Sequence, residues 1–190
     1  MTQTATAPAL KEWSAVVLAL LDGRQRVLLR KGGIGEKRFT VAAQEFLVFP
    51  TVAHSHAERV RPEHRDLLAA AAADSTDDQV IVRAAVKVVA AQEVSRPDNI
   101  EAIEDLHIWT TESVRHDRLD FRPKHRLAVL VVQAIPLVEP VLLARTPEYA
   151  GCTSWVQLPM TGPFGFGLAT PVRDDASLRR VAVRVRDAIG

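Results

Sequence analysis

The chain has 190 residues, of which 47% are hydrophobic and 25% are charged, a balance typical of a globular protein long enough to bury a full core. With 24 Lys and Arg against 23 Asp and Glu, the net charge excludes a bulk attraction to nucleic acid, so any anion binding requires a local patch. The single cysteine, Cys152, excludes an internal disulfide and fits a reducing cytoplasm, where we expect the protein to be located.

The N-terminal residues 1–8 are rich in Thr and Ala and lack the basic start and long apolar core of a signal peptide. We therefore expect a disordered tail there, followed by a single α+β domain over residues 9–190. No apolar run approaches the roughly 20 residues that span a bilayer, so no membrane partner is expected.

The first half of the chain predicts a helix over residues 9–22, a second helix that contains Leu67, Leu68 and the alanines 69–73 with Pro62 near its first turn, and three strands, over residues 27–30, 46–49 and 79–94. Apolar residues at helical spacing indicate the first helix, and Gly23 ends it. Gly32 and Gly33 break the first strand, and Pro50 ends the second. The third strand is rich in Val, although its alanines leave a helix open as the alternative.

The second half predicts three helices, over residues 99–106, 111–118 and 178–189, and two strands, over residues 127–135 and 155–158. Thr111 is the expected N-cap of the middle helix, and Pro136 is expected to end the first of these strands. Strands and helices do not alternate regularly along the chain. This order favours an α+β fold with a mixed or antiparallel sheet flanked by helices.

Four stretches of the sequence resemble the microbial family described as domain of unknown function 1802: LLRKGGI at 28–34, FLVFPT at 46–51, HIWT at 107–110 and YAGCTSW at 149–155. In that family a histidine follows the Phe-Pro-Thr segment, and His54 matches it here. The resemblance extends from about Trp13 to Leu158 and implies no particular reaction.

A weaker similarity connects the start of the chain with ASCH and other PUA-like domains. It is carried by Leu20, Leu21, Gly23 and Arg30, in the order helix, glycine turn and strand. This similarity implies a small PUA-like barrel that binds RNA, modified bases or nucleotides, and it concerns the fold rather than a site.

Arg30, Lys31, Gly32 and Gly33 form the first candidate site. Successive N–H groups of a glycine turn can surround an anion, and the two cations would add charge. The G-x-x-x-x-G-K-[S/T] spacing of a phosphate-binding P-loop is absent. The alternative interpretation is a tight turn whose charges are solvated.

The remaining candidates are aromatic, nucleophilic or basic. Trp109 and Trp155 would stack on a base or belong to the core. Cys152 would act as a nucleophile only with a base, for which His54 and His107 are the candidates; otherwise it is a small buried residue. No carboxylate stands at a recognised ligand spacing from the histidines, so neither a metal nor a cofactor is expected. The arginines of the last helix would meet phosphates or remain solvated.

These observations predict a protein that binds a nucleotide or nucleic acid at Arg30, Lys31, Gly32 and Gly33, with Trp109 or Trp155 as a stacking surface. One alternative is a hydrolase or transferase that uses Cys152 with a histidine base. A second is a protein-interaction module without a small ligand. The binding hypothesis further predicts that the Arg-Lys, His-Trp and Cys-Trp segments converge on one pocket. The sequence leaves open whether a reaction is catalysed, and it leaves the oligomeric state open.

Overall fold

Six strands form one mixed sheet in a computed structural model that describes residues 5–32, 37–53, 55–160 and 169–190. The strands are β1 (Ala5–Trp13), β2 (Val27–Lys31), β3 (Glu45–Thr51), β4 (Gln79–Glu93), β5 (Leu127–Ala144) and β6 (Trp155–Met160). They lie in the order β2-β5-β4-β3-β1-β6. Only the pair β1–β3 is parallel among these neighbours. The sheet is open, with β2 and β6 at its ends, and the predicted α+β fold with a mixed sheet is confirmed.

Within the described ranges, five α-helices flank the sheet: α1 (Ser14–Leu21), α2 (His56–Arg59), α3 (Leu67–Ala73), α4 (Thr111–Val114) and α5 (Asp175–Ile189). Three 3-10 helices connect them, over Pro62–His64, Pro97–Leu106 and Pro147–Tyr149. A π-helical turn, Arg115–Asp120, directly follows α4. No helix among the residues described above is long and apolar enough to cross a membrane.

The predicted helix over residues 9–22 is wrong in its first part, because β1 runs to Trp13 and α1 begins only at Ser14. β1 lies inside the sheet, with β3 on one side and β6 on the other. The backbone hydrogen bonds that this segment forms with β3 and β6 therefore stabilise a strand, although its apolar residues are spaced as in a helix. β1 also includes residues 5–8, which were expected to belong to a disordered tail.

The predicted strand over residues 79–94 is found as β4, which forms a long hairpin with β5. β5 does not end at Pro136, as predicted, but continues to Ala144. Pro136 pairs with Ala84 at a register shift in the ladder between Val82 and Ala84. A bulge of this kind tolerates a residue that cannot donate a backbone hydrogen bond.

The two faces of the sheet pack against different cores. The larger core includes α1, α5 and the segment around Trp109, and the smaller core lies on the opposite face. Along β1, Leu10 belongs to the larger core and Ala9 to the smaller. Because side chains alternate along a strand, Glu12 points to the larger-core side and Lys11 to the other.

Candidate functional site

A cavity of about 330 Å³ opens where β1, α2, α4 and the π-helical turn meet on the larger-core side. We call it the tryptophan cavity. Its lining combines aromatic, cationic and hydroxyl side chains: Trp13, Ser55, Arg59, Trp109, Ser113, His116, Asp117, Arg118 and Phe121. Pockets that bind small ligands typically begin at about this size.

Backbone pairing holds the two sides of the cavity together. Val60 and Trp109 form an antiparallel bridge, and the N–H of Thr110 donates to the carbonyl of Arg59 at 2.8 Å. The Thr110 hydroxyl accepts from the N–H of Ser113 at 3.1 Å, so Thr110 is the N-cap of α4. The prediction of Thr111 as N-cap is wrong by one residue, because Thr110 has the extended backbone that a cap requires.

The predicted helix over residues 111–118 divides into α4 and the π-helical turn. A π-helical turn accommodates one more residue than an α-helical turn and often occurs at functional sites. Here it carries three of the cavity residues, His116, Asp117 and Arg118. The turn thus determines which side chains enter the cavity.

Two tryptophans form the aromatic wall of the cavity. Trp13 and Trp109 meet edge to face with their ring centroids 4.9 Å apart, and the ring of His56 lies 3.8 Å from Trp13. Trp109 is only 2% exposed, whereas Trp13 is half-buried and Phe121 at the opening is 57% exposed. Trp13 and Phe121 are therefore the aromatic surfaces that a ligand can reach.

Arg59, Asp117 and His116 form a connected charged group at the cavity. Arg59 Nε donates to Asp117 Oδ2 at 2.5 Å, and His116 Nδ1 lies 2.8 Å from Asp117 Oδ1. Burial alone would raise the pKa of Asp117, but the hydrogen bonds from Arg59 and His116 outweigh it and leave this pKa below its ordinary value. Asp117 therefore stays ionised and neutralises Arg59. The Ser113 hydroxyl donates to backbone carbonyls, so it is not directed at His116 as a nucleophile would be.

Arg118 differs from Arg59 because it has no side-chain partner within the part of the chain that the structure describes. Its guanidinium carbon lies 5.2 Å from the ring centroid of Trp109. Neither a hydrogen bond nor an ion pair of its side chain occurs among the described residues. Burial lowers the pKa of Arg118; nearby Glu12 and Asp117 oppose this effect, whereas Arg30 and Arg59 add to it. An arginine nevertheless stays protonated near neutral pH, so the cavity contains a poorly solvated positive charge.

Arg30 lies behind the cavity in a buried ion pair. Its Nη1 lies 3.3 Å from Glu12 Oε2 and donates to the carbonyl of Lys11 at 3.0 Å. Glu12 is 3% exposed, and its other carboxylate oxygen accepts from the N–H of Trp13 at 2.9 Å. The Arg30 side chain is therefore fixed by internal contacts, although its buried Nε has no partner among the described residues.

Lys31 supports the π-helical turn instead of projecting into solvent. Its ammonium group donates to the carbonyls of Arg118, at 2.6 Å, and Phe121. Burial lowers the pKa of Lys31, an effect that Asp120 opposes. The carbonyl of Gly32 lies 3.4 Å from His125 Nδ1. The predicted site residues Gly33 and His54 lie outside the described residues.

Trp155 lies on the same side of the sheet as the tryptophan cavity but in a separate aromatic group. Its indole N–H donates to the carbonyl of Thr40 at 3.2 Å, and its ring stacks on Phe39 with centroids 6.1 Å apart. The Arg30 guanidinium carbon lies 5.2 Å from the Phe39 centroid. Arg30 thus lies between Phe39 on one side and Glu12 on the other.

The structure does not bring Cys152 together with His107. Cys152 is exposed, and the carbonyls of the preceding residues Ala150 and Gly151 accept from the ammonium of Lys11, on the smaller-core side. His107 is 1% exposed within the larger core, where its Nδ1 accepts from the N–H of Trp109. Burial, with a smaller effect of nearby arginines, lowers the pKa of His107 to about 3. The thiol and this imidazole therefore lie on opposite faces of the sheet.

Sequence reasoning missed most of the residues that line the cavity, including Trp13, Arg59 and Arg118. Trp13 is hidden inside an incorrectly predicted helix, and the two arginines stand in polar stretches without a motif. No group of three His, Cys, Asp or Glu side chains that could hold a metal ion occurs in the described ranges.

A family model described as "Domain of unknown function (DUF1802)" matches residues 9–184. The match is longer than the sequence resemblance predicts, because it continues beyond Leu158 into α5. No curated protein matches the sequence.

Three solved structures similar to this chain are ASCH proteins from Zymomonas mobilis. The first has 12% identity and a TM-score of 0.42, covering 74% of this chain and 88% of that chain. A serine-to-alanine mutant has 10% identity and a TM-score of 0.42, with 93% and 94% covered. A tyrosine-to-phenylalanine mutant has 11% identity and a TM-score of 0.45, with 93% and 96% covered. ASCH domains are thus among the similar structures, as predicted, but at these values the similarity assigns no function.

Proposed function

This chain belongs to the family described as domain of unknown function DUF1802, and from the geometry of the chain we propose that it binds a nucleotide or a nucleic-acid element in the tryptophan cavity. The proposal rests on the surroundings of Arg118. Its half-buried guanidinium lies against Trp109 and has no anionic partner among the described side chains. A cation that has lost part of its hydration and has no counter-ion is a strong site for an incoming anion.

The aromatic wall indicates what the anion would be attached to. Trp13 offers a half-buried ring, and Phe121 offers an exposed ring at the opening. Aromatic faces bind nucleobases by stacking, which contributes about 1–3 kcal/mol for each base. A phosphate at Arg118 with a base against Trp13 would use both features of one cavity.

The proposed site is the tryptophan cavity, which lies next to Arg30 and Lys31 but is not lined by them. Both cations already hold internal partners: Arg30 pairs with Glu12, and Lys31 donates to carbonyls of the π-helical turn. Their contribution is to position the structure behind the cavity. Lys31 holds the turn that carries Arg118, so the sequence prediction and the proposed site are physically connected.

The test is a fluorescence titration with AMP on a Trp155→Phe variant. The chain has three tryptophans, so this variant leaves Trp13 and Trp109, both of which line the cavity, as reporters. We expect AMP to quench their emission and Arg118→Gln to weaken binding by about tenfold or more, because a hydrogen bond to a charged group contributes about 1.5–3 kcal/mol.

Arg115→Gln is the matched control for this titration. Arg115 precedes Arg118 in the same turn and pairs with Glu101 at 3.1 Å, outside the cavity lining. Its substitution removes the same charge and should leave the affinity unchanged. If AMP and a short single-stranded RNA both fail to quench the tryptophans, or if both substitutions have the same effect, the proposed function is rejected.

A further inference from the structure

Four arginines from three parts of the chain surround a second cavity of about 290 Å³ beside the first half of α5. We call it the arginine cleft. Its lining residues are Arg26, Arg173, Ser177, Arg180, Val181 and Arg184. No aromatic residue contributes to this lining, in contrast to the tryptophan cavity.

The carboxylates near the cleft do not balance its positive charge. Arg184 is neutralised by Asp105, to which it donates two hydrogen bonds of 2.8 and 2.5 Å. Within the described ranges, no carboxylate lies within ion-pair distance, 4.0 Å, of the other three guanidinium groups. Asp174 interacts electrostatically with Arg180 from beyond this distance, and its side chain is the N-cap of α5, where it accepts from the N–H of Ser177 at 2.7 Å.

The backbone around the cleft holds two of these arginines in place. The Arg26 N–H donates to the carbonyl of Leu106 at 2.9 Å, and its carbonyl accepts from the N–H of Val132 at 3.1 Å. Arg173 Nη2 donates to the carbonyl of Gly23 at 3.0 Å. The buried Nε of Arg26 has no hydrogen-bond partner among the described residues, so a donor at the cleft is left unsatisfied.

We propose that the arginine cleft binds a phosphate group. The planar donor fork of arginine matches the oxygen pattern of phosphate, and several forks around one small cavity can share its charge. The first turn of α5 contributes Ser177 to the cleft, and the positive end of this 15-residue helix favours an anion near Ser177. Because no aromatic residue lines the cleft, we expect it to bind a phosphate group and not a nucleobase.

A bound phosphate has two sources with the same chemistry: a small phosphorylated molecule, or the backbone of a single-stranded nucleic acid. The inference does not depend on the tryptophan cavity, since none of the cleft residues lines that cavity. It also gives a role to the arginine face of the last helix, which the sequence leaves open between phosphate binding and solvation.

The experiment uses the Arg118→Gln protein as background, which weakens any contribution of the tryptophan cavity to binding. Pyrophosphate and a twelve-nucleotide uridine RNA are titrated separately by calorimetry. We expect Arg180→Gln to weaken binding by about tenfold, the effect of one lost charged hydrogen bond. Arg180 is exposed, so its replacement should not disturb folding. Arg26→Gln provides a second variant from another part of the chain.

Arg179→Gln is the control, because Arg179 is the neighbouring residue on α5, pairs with Asp175 and does not line the cleft. Binding of pyrophosphate that depends on Arg180 supports the inference with a small phosphorylated ligand, and binding of RNA alone supports it with a phosphodiester backbone. Absence of binding by both probes, or equal losses in the Arg179 and Arg180 variants, overturns it.

Discussion

Replacing Lys31 by Met separates a supporting role of this residue from direct contact with a ligand. In the wild-type protein the Lys31 ammonium donates to the carbonyl of Arg118 at 2.6 Å and to that of Phe121. A hydrogen bond with a charged partner contributes about 1.5–3 kcal/mol. Because Lys31 is only half-buried, water can replace part of this interaction, and we expect a loss of about 2 kcal/mol for the two bonds together.

For a protein of this length, such a loss lowers the melting temperature by about 4–8 °C. It should also weaken AMP binding, because a turn that holds Arg118 in place for only a fraction of the time reduces the apparent affinity by that fraction. We expect about a tenfold reduction. Thermal unfolding without ligand and the tryptophan titration measure the two effects on the same samples, and Lys124→Met, at an exposed position, is the control.

The three possible outcomes lead to different assignments of Lys31. Loss of both stability and affinity supports Lys31 as the residue that positions the π-helical turn. An unchanged melting temperature with lost affinity would refute this reasoning and favour direct contact between Lys31 and the anion, as the sequence alone predicts. An unchanged value of both quantities would show that the turn does not need Lys31.

Three further predictions concern stability. Burial lowers the pKa of His56 to about 4, with a further contribution from Arg59, and that of His107 to about 3, from an ordinary 6.5. On acidification the two histidines take up protons in the unfolded chain before they do so in the folded protein. Their contribution to stability is therefore complete above about pH 6.5 and decreases as the pH falls towards the folded-state pKa values. Urea unfolding should show a loss of about 2 kcal/mol in the free energy of unfolding for each histidine between pH 7 and pH 5. Gly23→Ala should cost about 1–2 kcal/mol, because Gly23 has a φ of +74° and an added Cβ would lie 3.1 Å from Arg173; a melting temperature equal to the wild type would contradict this. Thr110→Ala should cost about 1 kcal/mol by removing the N-cap of α4, whereas Thr110→Ser should retain most of it, as thermal unfolding of the two variants will show.

A sequence pattern predicts a helix or strand correctly when the pairing with neighbouring strands favours the same secondary structure. The valines of β4 and the apolar run at the start of β5 favour strands, although the alanines of β4 also permit a helix, and both strands are found. β1 is missed because Leu10 and Trp13 fit helical spacing equally well, and only pairing with β3 and β6 decides for a strand. The end of β5 is predicted too early because Pro136 lies where β5 itself is irregular: residues 137–140 are unpaired, and the ladder with β4 resumes at Val141.

The site is harder to predict because its residues meet through contacts between distant parts of the chain. The sequence shows that Lys31 is charged, but its partners are carbonyls 87 and 90 residues further along. Trp109 is an aromatic candidate in the sequence and lines the cavity, but its neighbour Trp13 lies 96 residues earlier in the chain, and only folding brings the two rings together. Arg118 becomes a candidate only after folding, which partly buries its side chain without an ion pair among the described residues.

The position of β1 between β3 and β6 has a consequence for biosynthesis. β3 becomes available for pairing early, since it ends at Thr51, but β6 begins only at Trp155. At a synthesis rate of about 5–20 residues per second, the roughly one hundred intervening residues take about 5–20 s to emerge. During that interval the second edge of β1 has no ladder partner, and an unpaired strand edge is a template for association with other nascent chains. Expression that slows translation of this middle region should therefore increase aggregation, and an N-terminal solubility fusion should reduce it.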